Sequence, residues 1–442
     1  MQGCTLGEVA EAAGATLHGP AGAANRPAAA FGIDSRTLPA GGVFFALGSA
    51  DRDGHGFAEA TVRGGAAAAV VRDRWERPAA GTYLAVDDPA AALHRLAARQ
   101  RERLRAGGCR VVAVGGSNGK TSTRRLIHHT LAAGGLAGTQ SPASFNNHLG
   151  VPLTLLAARP DDAFVAAEIG TNHPGEIAPL ADLLRPEVAV IASIGAEHLG
   201  HFGSLGAVAE EEAALLPAVR PGGVVFCPPE AAAALQPFYD VAEGVALVPV
   251  TEARHGALVP AGFPLLGQHQ RANARLAAAV GRWFGLDADA VAAALSTATP
   301  APGRMEPLRL GGGAEAGGVT VVHDAYNANP DSVAAALRHL AAAPAPGRRV
   351  VVLGPMLELG RFAGDAHRDA AALAEASADL VLLVGDAWPT PGTDLDAVAA
   401  ALEPGDTVLV KASRGSALER LFPLIERGVA SRPPVRPRGP VP

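Results

Sequence analysis

The run Val111-Val112-Ala113-Val114-Gly115-Gly116-Ser117-Asn118-Gly119-Lys120-Thr121-Ser122-Thr123 passes from an apolar strand through a glycine turn, a lysine and paired hydroxyls into helix-forming sequence that continues through Leu131. Strand, turn and helix in that order call for an α/β fold with the strand buried in a sheet. Small residues at 115–119 let backbone N–H groups approach an anion, and the following helix turns its positive dipole end on the same point. Gly116, Ser117, Asn118, Gly119, Lys120, Thr121 and Ser122 are therefore expected to cradle phosphates, with Lys120 at the terminal phosphates and Thr121 on a magnesium ion. The strict spacing puts a glycine five residues ahead of Gly119, where Val114 stands, so the generic signature is only partly met. The competing reading is an ordinary glycine-rich turn with an exposed lysine.

The rest of the chain extends the same alternation. Residues 1–85 mix a short helix, Leu6 to Ala13, with strand-like runs at 42–47 and 66–71, and read as a small α/β unit. Residues 86–302 open with a helix from Pro89 to Arg105. Unbroken apolar strands follow at 163–169, 188–194 and 224–226, as expected of a parallel sheet covered on both faces. The joint Thr299-Pro300-Ala301-Pro302-Gly303 cannot continue the helix at 288–295 and marks the next boundary. Residues 303–431 alternate strands at 319–323, 349–353, 380–384 and 407–410 with helices at 332–342, 363–377, 395–402 and 416–427, a small doubly wound fold. The tail at 432–442 is rich in proline and is expected to be unfolded.

Composition narrows the function. A chain of 442 residues is too long for one ordinary core, so two or three domains are expected. Its three cysteines form no close-spaced ligand pair and no disulfide framework, which suits a reducing cytoplasm. No targeting segment and no unbroken span of bilayer length is present, so a soluble, unprocessed protein is expected. The formal net charge of −6 argues against nucleic acid as the main partner and leaves anionic small molecules open through local sites.

In parallel sheets ligands gather at the carboxyl ends of strands. Glu168 and the cluster Ala196-Glu197-His198 stand there, and a carboxylate with an imidazole could hold a hard divalent cation beside the phosphates; either residue alone is as readily a hydrogen-bonded structural group. In the third unit, Asp324-Ala325-Tyr326-Asn327, Gly354 to Glu358 and Lys411 to Arg414 end their strands and should line one edge. In the first unit, Asp34-Ser35-Arg36 and Asp51 to Gly56 sit in turn-rich sequence, for which solvated loops are the plainer reading.

Several of these runs together resemble the Mur ligase family: Asp34-Ser35-Arg36 with Asp53-Gly54-His55, the loop at 116–121, Phe145 to Pro152, Glu168 to Ile177, His198-Leu199 with Phe202-Gly203-Ser204, Asp324 to Pro330 and Glu358-Leu359-Gly360. The loop is common to all Mur ligases and to folate polyglutamate ligases. The Asn172 to Ile177 and Tyr326 to Pro330 runs resemble the members that add D-alanyl-D-alanine.

The resemblance implies a three-domain α/β enzyme: a small N-terminal substrate domain, a central ATP-binding parallel sheet and a C-terminal Rossmann-like domain. It further implies ATP and Mg2+ as cofactors, with UDP-N-acetylmuramoyl-tripeptide and D-alanyl-D-alanine joined through an acyl phosphate by a cytoplasmic monomer. Carried over by position, Lys120, Glu168 and His198 would be catalytic, and Thr121, Glu168 and His198 would hold metal. Asn273, Arg304 and Asp324 would meet the nucleotide. Asp34, Ser35 and Arg36 would contact the UDP part, Asn146, Asn147, Asn172 and His173 the muramoyl peptide, and Tyr326, Asn327 and Glu358 the dipeptide. For Asn146 and Asn147 a turn cap, and for Arg304 a surface hinge, are the competing structural readings.

Two departures stand out. Many relatives carry, about fourteen residues after the His198 position, a lysine whose carbamate helps bind metal; here Glu212 stands there, either as a carboxylate substitute on the metal or as part of a solvated helix face with Glu210 and Glu211. Gly115 replaces a threonine common in relatives. The alternatives to a D-alanyl-D-alanine ligase are a Mur-type ligase of another amino acid and a nucleotide-binding regulatory protein that does not ligate.

Overall fold

The computed structural model describes residues 3–48, 53–241, 244–311 and 318–430. Asp51 and Arg52, and the tail expected to be unfolded at 432–442, lie outside the described residues.

Three sheets follow one another along the chain. The first holds β1 (Thr16–His18), β2 (Phe31–Gly32), β3 (Val43–Phe45), β4 (Ala68–Arg72) and β5 (Tyr83–Val86) in the order β1-β5-β4-β3-β2, parallel except for β1. The second holds β6 (Arg110–Gly115), β7 (Gly138–Gln140), β8 (Phe164–Glu168), β9 (Val188–Ile191), β10 (Val224–Cys227) and β11 (Ala246–Pro249) in the order β11-β10-β9-β6-β8-β7, all parallel. The third holds β12 (Glu306–Leu310), β13 (Val319–Asp324), β14 (Arg349–Leu353), β15 (Leu380–Leu383) and β16 (Thr407–Lys411) in the order β12-β13-β16-β14-β15, with only β12 antiparallel. The expected α/β class and three-part architecture are both present.

The second sheet fixes the site. β6 from Val111, β8 up to Glu168 and β9 are buried apolar runs with helices on both faces, one core formed by Val111, Ala113, Val165 and Ala189 and the other by Val112, Val114, Ala166 and Val190. Because β6 lies between β8 and β9, the chain leaving its carboxyl end enters a crevice flanked by the ends of both neighbours, the place where open parallel sheets bind ligands. Parallel register sets Glu168 opposite Val114 and Gly115 opposite Ile191.

The helix Pro89–Ala106 starts on Asp88, which caps the Ala90 N–H at 2.8 Å, with Pro89 in the first turn where its missing N–H costs nothing. Its buried face, with Leu93 and Leu96, joins the core of the first sheet to that of the second without a break. Arg101, 2% exposed, donates to the carbonyls of Leu184 and Arg185 at 2.6 and 2.7 Å and pairs with Glu187 at 2.8 Å, so the buried cation satisfies the end of the helix Ile177–Leu184.

Two expected elements end differently. The strand from Val188 stops at Ile191 because the next residues turn to bind the glycine loop, Ala192 N–H on Gly115 O and Ser193 O on Ser117 N–H, both at 2.9 Å. The helix expected at 416–427 is broken by left-handed Ala417 (φ 47°) into short 3-10 turns, and the α-helix proper runs Phe422–Ala430.

Candidate active site

Gly116 (φ 108°) and Gly119 (φ 84°) put the loop after β6 into backbone conformations that L side chains rarely adopt. A Cβ on Gly116 would stand 2.7 Å from Ser193 O, and one on Gly119 would stand 2.7 Å from the Asn273 side-chain oxygen. The loop is tied down by its neighbour: Asn118 N–H donates to Ser193 Oγ at 2.8 Å, and Gly195 N–H donates to Ser117 Oγ at 2.9 Å. Helix Lys120–Ala133 then begins with no side-chain cap, which leaves first-turn N–H groups and the dipole end for an anion.

Lys120 Nζ folds back on the loop, donating to Gly116 O at 2.6 Å, Ser117 O at 3.1 Å and Glu197 Oε2 at 3.0 Å. Burial disfavours the ammonium, but the carboxylates of Glu197, Glu212 and Glu168 outweigh it and raise the Lys120 pKa, so the lysine stays cationic. Glu168, at the end of β8 and 1% exposed, accepts from Thr121 Oγ1 at 2.9 Å. Arg304 Nη2 donates to the same hydroxyl at 3.0 Å, and its guanidinium lies 4.2 Å from the Tyr326 ring centre.

A hydroxyl and a carboxylate meeting where a phosphate would sit is the donor set that Mg2+ takes, with phosphates and waters completing its shell. Thr121 and Glu168 fit that requirement, although among the described residues no three His, Cys, Asp or Glu side chains are grouped to hold a metal by themselves. His198, in a left-handed turn (φ 51°) after β9, has Nε2 3.7 Å from Glu197 Oε1 and Nδ1 2.9 Å from Glu358 Oε2, off the line of a good hydrogen bond.

The third sheet closes over the loop. Asn329 Nδ2 donates to Asn118 Oδ1 at 2.8 Å, Ala196 N–H to Asp331 Oδ2 at 2.8 Å, and Tyr326 OH to Ser144 Oγ at 2.7 Å. Between the sheets lies a cavity of about 730 Å³ lined by residues 117–122, Glu168, His198, Asn273, Arg304, Asp324, Asn327 and Glu358 among others. Parallel register sets Asp324 of β13 opposite Lys411 of β16, and Lys411, 2% exposed, donates to Asp324 Oδ2 at 2.7 Å and to Asn327 O at 3.0 Å. His269, beside this pair, is pushed down to about 4, chiefly by burial. A second cavity of about 540 Å³ adjoins the first through Thr121, Ser144, Arg304 and Tyr326 and is lined also by Arg124, Arg125 and Arg414.

Most residues singled out in the sequence meet in the main cavity, including Tyr326, Asn172, Asn146 and Asn147. Asn147 also ties the start of the helix Gly150–Ala157, accepting from Leu149 and Gly150 N–H at 3.1 and 3.0 Å, as its turn-cap reading expects. His173 is exposed and packs its ring 4.4 Å from that of His201, outside the cavity lining. Asp34 and Arg36 are paired at 2.7 Å on the first unit and do not line this cavity, while Ser35 lines a small separate one of about 220 Å³ with Phe57. The Asp34–Arg36 contact holds the Asp34 carboxyl down at about 2.

Glu212 overturns the solvated-face reading. It is 2% exposed, so it is no part of a solvated face, and its Oε2 accepts the Gly116 N–H at 2.7 Å outside the cavity lining that holds Glu168 and His198. Glu211 is buried too and accepts from the Gly175 and Ile177 N–H groups at 2.7 and 2.8 Å; only Glu210 is exposed. Helix direction brought these two acids inward, because in the helix Leu205–Ala213, started by Ser204, they share the buried side with Val208, Ala209 and Ala213 while Glu210 points out.

Sequence reasoning gave no role of their own to Glu197, Lys411 and Arg414, and passed over Asp331 and Ser144, all lining residues. For Glu197, Lys411 and Arg414 the available signal was position at the carboxyl end of a parallel strand.

The description "Mur ligase middle domain" matches residues 114–281, and "Mur ligase, glutamate ligase domain" matches residues 303–429. A Bacillus subtilis protein named UDP-N-acetylmuramoyl-tripeptide--D-alanyl-D-alanine ligase is 30% identical over 434 residues, covering 88% of this chain and 91% of its own. The crystal structure of MurF from Acinetobacter baumannii superposes with a TM-score of 0.80 at 24% identity, over 97% of this chain and 99% of that one. MurF ligase from Thermotoga maritima, solved in complex with ADP, superposes with a TM-score of 0.75 at 22% identity, over 90% and 97%.

Proposed function

The chain belongs to the Mur ligase family, and from that premise we propose that it is an ATP-dependent ligase that joins D-alanyl-D-alanine to UDP-N-acetylmuramoyl-tripeptide. The observation that carries this reading is the single cavity in which the glycine loop, its cationic lysine, Glu168 and the closing residues of the third sheet converge.

A carboxylate is a poor electrophile, so ATP first transfers its γ-phosphoryl group to it, and the dipeptide amine then displaces phosphate. Both steps gather negative charge on neighbouring oxygens, which fixed cations and oriented N–H groups stabilise most. The N-terminal end of helix Lys120–Ala133 would receive the β and γ phosphates, and Lys120 would leave Glu197 to follow the transferring group. Arg304 would add a second positive charge from the third unit.

Thr121 and Glu168, with His198 nearby, would hold Mg2+, whose chemistry there is to neutralise phosphate charge. Asn273 would lie at the base of the nucleotide, with its amide already fixed by Gln270 at 3.1 Å. Asn146, Asn147, Asn172 and His173 would meet the muramoyl peptide, and Asp34, Ser35 and Arg36 the uridine diphosphate end. Tyr326, Asn327 and Glu358 would meet the dipeptide, with Arg125 and Arg414 of the adjoining cavity available to its carboxylate.

The enzyme would act as a monomer, and ATP with a UDP-linked substrate favours the cytoplasm. No helix among the described residues is long and apolar enough to cross a membrane. A phosphate-release assay tests the reading: release requires both the UDP-linked tripeptide and D-alanyl-D-alanine, and the product gains the mass of the dipeptide less water. Steady release with ATP alone, or an unchanged tripeptide mass, would overturn it.

A further inference from the structure

The two departures noted in the sequence, at 115 and 212, face each other across the base of the loop. A Cβ built on Gly115 would stand 2.7 Å from Glu212 Oε2, while its other neighbours, Ile169 Cγ2 and Ile191 Cδ1, would stand at an ordinary 3.4 Å. The carboxylate oxygen thus occupies the space of the side chain that position 115 lacks. From there it accepts the Gly116 N–H at 2.7 Å, while Lys120 Nζ donates to the Gly116 carbonyl at 2.6 Å. One residue of the loop, in a conformation that needs glycine, therefore has its donor and its acceptor each held by a side chain, Glu212 and Lys120.

We propose that Glu212 is a positioning residue for nucleotide binding: seated in the space left by Gly115, it holds the Gly116 N–H and so sets the loop in its phosphate-accepting form. The inference rests on the reading of this loop as the ATP site.

The argument is one of unmet hydrogen bonding. The Gly116 N–H is buried, and its partner reaches it from a separate helix, Leu205–Ala213. Without that carboxylate the amide either stays unpaired or the peptide rotates to find another acceptor, and rotation moves the Ser117 and Asn118 amides that follow. Any side chain at 115 has the same result by another route, because it takes the carboxylate's place. The two positions act through one contact, so their substitutions must be non-additive.

Calorimetric titration of Mg-ADP into Glu212→Ala, Glu212→Gln, Gly115→Ala and the double Gly115→Ala/Glu212→Ala variant tests this. Binding is expected to weaken about tenfold in Glu212→Ala and in Gly115→Ala, and the double variant should be no weaker than either. Glu212→Gln, which keeps an acceptor oxygen, should stay within about threefold of the wild type. In turnover, KM for ATP should rise in step with the binding loss while KM for the dipeptide and the half-saturating magnesium concentration stay put. Wild-type affinity in both single variants, or losses that multiply in the double variant, would overturn the inference. If Glu212→Ala does not fold, Gly115→Ala against Glu212→Gln decides: weakening in the first alone supports the contact, and equality of both with the wild type overturns it. A wild type that fails to bind Mg-ADP at all would instead remove the functional reading.

Discussion

Replacing Lys411 by methionine keeps the four-atom stem and removes the charge that holds Asp324. Lys411 is 2% exposed and the Asp324 side chain is 13% exposed, so water compensates little when the 2.7 Å contact is lost. Removing one partner of a buried pair costs about 3–5 kcal/mol. Asp324 keeps the Met305 N–H at 3.0 Å, which points to the lower end, about 3 kcal/mol. For a unit the size of residues 303–430 this lowers the melting midpoint by about 10 °C. Differential scanning fluorimetry and far-UV circular dichroism read the shift. The double variant Asp324→Asn/Lys411→Met carries no buried charge and should recover most of the loss. A midpoint for Lys411→Met within about 2 °C of the wild type, or a double variant no more stable than the single, would refute the assignment of the cost to an uncompensated carboxylate.

Lys120→Ala should fold, because the groups it leaves are loop carbonyls and a carboxylate at the cavity wall, yet kcat/KM should fall by about three orders of magnitude; a loss below tenfold counts against its place on the phosphates. Glu168→Gln should raise the half-saturating magnesium concentration more than it raises KM for ATP, and a magnesium titration that superposes on the wild type removes Glu168 from the ion. His269, pushed down to about 4 from the ordinary 6.5, is neutral in the folded chain while the unfolded chain takes up a proton. Its contribution to stability is therefore present above pH 6.5 and lost as pH falls toward 4, on the order of 2–3 kcal/mol, and His269→Gln should flatten that acid limb of the melting midpoint.

Lys120, Thr121 and Glu168 were legible because each belongs to a local pattern: a glycine turn before a helix, or the last residue of a buried strand. The resemblance to Mur ligases added Asn273 and Arg304, which no periodicity marks. Asp331 and Ser144 gave no sequence signal, since each acts through a partner far along the chain, the Ala196 N–H and the Tyr326 hydroxyl. Glu212 was visible as a departure, but its destination was not, because a run of three glutamates on a helix is as compatible with solvent as with a buried contact.

By itself the sequence determined the alternation of buried strands and helices, the glycine turn after β6 and the lysine that opens the next helix, because strand period, glycine φ and helix dipole are properties of short segments. Tertiary structure alone decided which strand ends became neighbours. Register across β13 and β16 put Lys411 against Asp324, and packing of the helix Leu205–Ala213 against the end of β6 put a carboxylate where Gly115 has no side chain. Such pairings join residues roughly a hundred positions apart, and only the closing of the sheets and helices around a common core brings them within a hydrogen bond.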